Sequence, residues 1–150
     1  MVNIKVNPPQ QVQAGAIMYP PLVLMSRVNQ YTFYQVSLVD HHGRALVANH
    51  DLRGTLAASP QALEGDAAGR SSPRDFAVFP NLSITEPGRY RIQVNAYYID
   101  YETMPPTTLL TGSTTTGEIL VRNSAVPRGR PSFVETQTLA SLAAGGFPIP

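Results

Sequence analysis

The stretch Phe76–Tyr101, FAVFPNLSITEPGRYRIQVNAYYIDY, decides the fold class. It opens with an unbroken apolar run, Phe76-Ala77-Val78-Phe79, and closes with a strict alternation. Tyr90, Ile92, Val94, Ala96 and Tyr98 take the even positions, and Arg89, Arg91, Gln93 and Asn95 take the odd ones. A period of two puts one set of side chains on a core and the other toward solvent or a partner. Pro87-Gly88 lies between the two segments: proline presets φ and glycine accepts positive φ, so the pair reverses the chain at low strain. The stretch reads as a β-hairpin, and the phase break at Tyr97-Tyr98-Ile99 reads as a bulge.

The same logic extends in both directions. Ile4–Val6, Leu22–Val28, Tyr31–Val39, Leu52–Ala58 and Thr116–Arg122 read as strands, with Tyr34, Val36 and Leu38 on one face of theirs. Pro20-Pro21 fits a strand entry. Asp40–Arg44 is a hairpin turn with a return strand over Ala45–Ala48. Asn7–Tyr19 reads as a polar loop or irregular edge, Ser59–Asp75 as a loop rich in small residues, Glu102–Leu110 as an extended loop, and Asn123–Pro131 as a basic irregular segment. Val134–Ala144 is a helix with Leu139, Leu142 and Ala143 at helical spacing and Gly145 as its stop; it caps the sheets. About eight short strands separated by turns suggest an all-β, antiparallel β-sandwich with a short C-terminal helix.

Composition agrees. At 150 residues the chain fits one domain over 1–150, without internal repeats. Hydrophobic content of 43% against 14% charged indicates a folded protein, and 14 prolines and 11 glycines favour turns over long helices. No apolar run is long enough to span a bilayer, so no membrane partner is expected. Met1–Lys5 lacks the apolar core of a secretion signal, and an intracellular chain is expected. There is no cysteine, which excludes disulfides and thiolate metal sites. Net charge is +1, with Lys5 as the only lysine, so the basic side chains are mostly arginine. The near-neutral balance counts against strong nucleic-acid binding by the domain alone. Arginine makes bidentate contacts to phosphate and guanine, and it is also a common interface residue.

Enzyme chemistry finds little footing. No Gly-x-Ser-x-Gly elbow and no Gly-rich phosphate loop occurs, so no catalysis, cofactor or small-molecule substrate is expected. His41 and His42 beside Asp40 read as polar turn residues rather than metal ligands, because neighbouring side chains in an extended turn point to opposite faces. Three arginines stand out: Arg122, Arg128 and Arg130 lie within nine residues with no acid between them. Such a segment is a phosphate clamp or a solvated loop, and the residues alone leave both open. Arg27 and Lys5 are secondary candidates on local positive charge. Arg89 and Arg91 share a polar strand face that could lie on DNA, on a partner or in solvent, the last being favoured; Arg70 and Arg74 flank the small-residue loop. Tyr97, Tyr98 and Tyr101, followed by Met104-Pro105-Pro106, form an aromatic cluster suited to an interface, the alternative being Tyr98 in the core with Tyr97 and Tyr101 at its edge.

Several blocks together resemble the velvet-domain family of fungal regulators. Phe79-Pro80-Asn81-Leu82-Ser83-Ile84 and Glu86-Pro87-Gly88-Arg89-Tyr90-Arg91-Ile92 are similar to its central block, with Asn81 where the family usually has aspartate. Gly54-Thr55-Leu56 with Ser59 and Leu63, Pro20-Pro21-Leu22-Val23-Leu24, and Leu139, Gly146-Phe147 and Ile149-Pro150 follow in matching order, so the resemblance spans nearly the whole chain. It implies an immunoglobulin-like, Rel-like sandwich that dimerises with another velvet-domain protein. It also implies contact with double-stranded DNA, and control of fungal development, sporulation and secondary metabolism from the nucleus, with passage through the cytoplasm. Related chains often continue beyond the point matching Pro150. In the family, DNA contacts come largely from a basic loop between the first strand and the proline-rich strand. Here that place is Gln10–Tyr19, which has no lysine or arginine. Either other arginines reach DNA, or the chain is an interaction module that pairs with a more basic velvet partner.

Overall fold

The computed structural model describes residues 2–46, 51–63 and 73–150. It is mostly β, with one helix near the C-terminus. Two larger sheets face each other across a shared core, and the helix covers the outer face of one of them.

The first sheet has the order β1 (Asn3–Val6), β3 (Leu22–Ser26), β8 (Arg74–Phe79), β7 (Gln61–Leu63). The second runs β2 (Gln11–Gln13), β12 (Ile119–Arg122), β10 (Gly88–Asp100), β4 (Phe33–Asp40), β6 (Ala57–Ala58), with β11 (Thr107–Thr115) also on β10. A short ladder joins β5 (Leu52–Arg53) to β9 (Ser83–Ile84). Leu22, Leu24, Ala77 and Phe79 of the first sheet meet Tyr34, Val36, Leu38, Ile92, Val94 and Ala96 of the second. On the other face of the first sheet, Val6, Val23, Met25, Phe76 and Val78 pack with Leu139 and Leu142 of α1 (Phe133–Ala144). Burial on both faces explains why β3 and β8 are written as apolar runs instead of alternations. The helix starts in a capping box, Ser132 accepting from the Glu135 N–H and Glu135 returning the bond. Glu135 also accepts from the Asn7 N–H at 3.1 Å, which ties the helix to the end of β1.

Several expectations are corrected. Phe76–Phe79 and the long strand do not form a hairpin with each other: β8 belongs to the first sheet and β10 to the second. Pro87-Gly88 therefore serves a crossing between sheets. The partner of β10 in a hairpin is β11, in a segment whose first part reads as an extended loop. The register shift falls opposite Ala96/Tyr97, as the phase break suggests, but the extra residue is Thr111 on β11. Within the supposed loop 7–19, β2 pairs parallel with β12, so the ladders are not all antiparallel. Leu52–Ala58 is two strands, separated at Gly54, where φ is +112° and a Cβ would collide with the Asn81 carbonyl oxygen. Ala143 is exposed; only Leu139 and Leu142 of the proposed helical stripe are buried. The segment Ser59–Asp75 is not all loop, since it holds β7 and the start of β8; its residues 64–72 with Arg70, part of the return strand expected over Ala45–Ala48, and His50 lie outside the described residues.

β11 and β12 lie in line along one edge of β10, with β4 on the other. Thr116 fills the join. Its N–H donates to the Ile92 carbonyl at 2.9 Å, and its Oγ1 accepts from the Ile92 N–H at 3.0 Å. The Thr116 carbonyl is turned away and accepts from Arg91 Nη1 at 3.0 Å. The ladder is thus complete although the strand is interrupted.

Candidate functional site

One end of the molecule gathers arginine and glutamine. β2 lies beside β12 with Gln11 opposite Leu120, Val12 opposite Val121 and Gln13 opposite Arg122. Val12 and Val121 point into the core, so the alternation leaves Gln11, Gln13 and Arg122 outward. The Ala14 N–H donates to the Arg122 carbonyl at 2.8 Å and holds the loop against the strand end. Arg122 Nη1 donates to Gln11 Oε1 at 3.4 Å.

Beyond Arg122 the chain folds back over the same loop. Gly129 presses against the Tyr19 carbonyl, Pro20 and Pro9, where a Cβ would collide. This places the Arg128 guanidinium over the Tyr19 ring, 3.8 Å from its centroid. Cation–π stacking fixes the plane of the guanidinium and leaves its N–H edge free to donate. Between loop and segment opens a cleft of about 470 Å³ lined by Gln11, Gln13, Ile17, Tyr19, Pro127 and Arg128, among others. No Asp or Glu lines it. One guanidinium and two amides line this cleft, with Arg122 bonded to one of those amides, an arrangement suited to hydrogen bonding to phosphate oxygens or base edges.

The structure divides the five basic candidates. Arg128 lines this cleft, and Arg122 is bonded to Gln11, another residue of its lining. Arg130 is exposed two residues beyond Arg128. Lys5 is half-buried on β1, and Arg27 follows β3 at the far end of the molecule, where its N–H donates to Gln30 Oε1. Of the remaining arginines, Arg91 is committed to structure, donating to the carbonyls of His41 and Thr116. Arg89 forms an exposed ion pair with Glu118 at 3.7 Å, a contact of small energetic weight. The sequence could not reveal that Gln11 and Gln13 share the rim, because the link is a parallel ladder between distant segments.

The opposite end is a two-stranded ribbon. Thr32 anchors it, its N–H donating to the Tyr97 carbonyl at 2.7 Å and its Oγ1 accepting from the Ile99 N–H at 2.9 Å. Tyr97 stacks on Phe33 with centroids 4.8 Å apart. Tyr98 pairs with Leu109 and Tyr97 with Leu110 across the ribbon. Tyr98 is 43% exposed, so the alternative of a core position for it is corrected: β10 has outrun the core at that point. Tyr101 and Met104 at the tip are 69% and 93% exposed. His41 and His42 do not point apart as expected; their ring centroids are 4.0 Å from each other. Among the described residues no group of three or more His, Cys, Asp or Glu could hold a metal ion.

No protein-family model and no curated protein matches the chain. Among solved structures, the chain is similar to neutral ceramidase from Pseudomonas aeruginosa, with 16% identity and a TM-score of 0.42 over 82% of this chain. The chain spans 19% of the length of that protein. A likeness of this degree carries no argument about fold or activity.

Proposed function

We propose that this chain is a velvet-type transcriptional regulator that dimerises and contributes to DNA recognition in the nucleus. Two sheets on one core support an immunoglobulin-like, Rel-like sandwich. The blocks that carry the family resemblance also meet in space. Asn81 Oδ1 accepts from the Thr55 N–H at 2.9 Å, and Asn81 Nδ2 donates to Thr55 Oγ1 at 3.3 Å. An aspartate would keep the first bond, so asparagine at this place is compatible with the family's usual residue.

The observation that carries the reading is the convergence of Arg122 and Arg128 on the Gln10–Tyr19 loop. That loop holds the place of the family's basic DNA loop but has no cation of its own, and the two arginines supply charge beside it. Arg130 extends the same positive segment. The tyrosine ribbon, with Tyr97, Tyr98 and Tyr101, lies at the opposite end, so a partner and a duplex could be held together without competing for surface.

A titration of the isolated domain against labelled duplex DNA at two salt concentrations tests this. Direct contact requires affinity that falls steeply with salt. In an Arg122→Ala/Arg128→Ala variant, the slope of log K against log salt should shrink by about two, roughly one per lost phosphate contact. The second reading, an interaction module without DNA contact of its own, is favoured by the +1 net charge. It requires no binding by this chain alone even at low salt, and binding once a more basic velvet partner is added.

A further inference from the structure

We propose that Arg128 and Arg130 enter the minor groove of A·T-rich duplex DNA and read it there as hydrogen-bond donors. This rests on the DNA-contact reading above and names the groove and the class of base pair.

The segment that carries the two arginines sets the groove. Residues 123–132 form neither helix nor strand, and Arg128 and Arg130 are both exposed on them. Pro127 and Pro131 bracket Arg128-Gly129-Arg130. Proline fixes its own φ and pushes the residue before it into extended backbone, so Arg130 is held extended. Gly129 seats the segment on Pro9, Tyr19 and Pro20, which anchors it while the arginine side chains stay outside. The major groove admits a helix or a two-stranded ribbon, whereas the minor groove, about 6 Å wide, suits side chains from a single extended segment. The one helix among the described residues, α1, has no lysine or arginine and holds Glu135, and the β10–β11 ribbon ends in Asp100 and Glu102. Neither is suited to a major groove. Two residues of extended chain span at most about 7 Å, close to two base-pair steps of about 3.4 Å, so the two arginines can follow one groove.

Hydrogen-bonding chemistry and charge set the base pair. In the minor groove A·T and T·A show acceptors only, adenine N3 and thymine O2, while G·C adds the guanine 2-amino donor. A guanidinium has donors and no acceptor, so Arg128 and Arg130 match the first pattern and meet a like donor in the second. No carboxylate stands by to accept from that amino group. No Asp or Glu occurs between Glu118 and Glu135, and none lines the cleft beside Arg128. Glu135 itself is taken by the N–H groups of Ser132 and Asn7. Among the described residues neither arginine pairs with an acid, so their donor edges stay available. The low net charge points the same way. With +1 overall the domain has few cations to spread along phosphates, and the narrow groove of an A-tract concentrates negative potential where a pair of arginines acts most strongly.

Binding of the full chain to three duplexes, alike except for a central tract of A·T, G·C or inosine·C pairs, decides the matter. Inosine lacks the 2-amino group, so an inosine·C tract matches G·C in the major groove and A·T in the minor groove. At low salt the A·T and inosine·C duplexes should bind about tenfold or more tighter than G·C. Arg128→Ala/Arg130→Ala should bring the three within about twofold of one another, with the fold intact by thermal melt. Arg130→Ala alone, which leaves the Arg128 stack on Tyr19 in place, should already remove most of the preference. An inosine·C duplex that binds like G·C, both unlike A·T, means reading from the major groove and overturns the choice of groove. Three equal affinities that fall with salt overturn base reading and leave the DNA-contact reading standing, as phosphate contact alone. A preference that survives the double variant overturns the assignment to these arginines. No binding by this chain to any of the three overturns the DNA-contact reading and this inference with it.

Discussion

Asp40 shows how much one carboxylate can organise. Its Oδ1 accepts from the N–H groups of His42 and Arg44, both at 2.9 Å, and closes the turn after β4. The Arg44 N–H is the larger reason that the Asp40 carboxyl titrates below its ordinary value; the His42 N–H and the nearby positive charges add to it. A pKa lowered by folding means the bonds stabilise the turn fully above the unfolded-chain pKa. That stabilisation fades as pH falls through the lowered one. In a pH series of amide spectra, the His42 and Arg44 resonances should titrate together below the usual aspartate range, and Asp40→Asn should abolish the titration. Resonances that move at or above the usual range would contradict the assignment. The identity of this turn was legible in Asp40-His41-His42-Gly43-Arg44; the histidine ring pair was not, because extended geometry predicts rings on opposite faces and the actual turn is tighter.

At the scale of elements, the join between β11 and β12 is the most exposed to test. Thr116 is buried, and its hydroxyl stands in for the carbonyl that a continuous strand would offer Ile92. Thr116→Val keeps the shape but leaves the Ile92 N–H buried without an acceptor, which should cost about 1–3 kcal/mol in urea unfolding. Thr116→Ser should recover most of that loss. The strands that face a core were legible for a physical reason: burial on one face writes alternation and burial on both writes an apolar run, as in Tyr34–Leu38 and Phe76–Phe79. β11 faces little core, so its threonines carried β-propensity but no pattern, and Pro105-Pro106 gave the segment the look of a loop. β2, with Val12 between two glutamines, is too short to show a period. The pairing of β10 with β11 rather than β8 escaped the sequence because alternation fixes which side of a strand is buried and says nothing of its neighbour.

For the molecule as a whole, the arrangement is bipolar: arginines and glutamines at one end, tyrosines and leucines at the other, with a closed core between. The arginines themselves were legible as a basic run without acids. Their meeting with the Gln10–Tyr19 loop was not, since it depends on Gln11 and Arg122, which are 111 positions apart in the chain. The helix adds a last consequence. Leu139 and Leu142 shield Val6, Val23, Met25, Phe76 and Val78, and each such side chain returned to water costs about 1.5–3 kcal/mol. A shortened version of this protein stopping at Arg130 should therefore light up a dye such as ANS and precipitate at concentrations where the 150-residue form stays clear. Anyone trimming the tail as dispensable would be stripping the waterproofing from the outer wall of the first sheet.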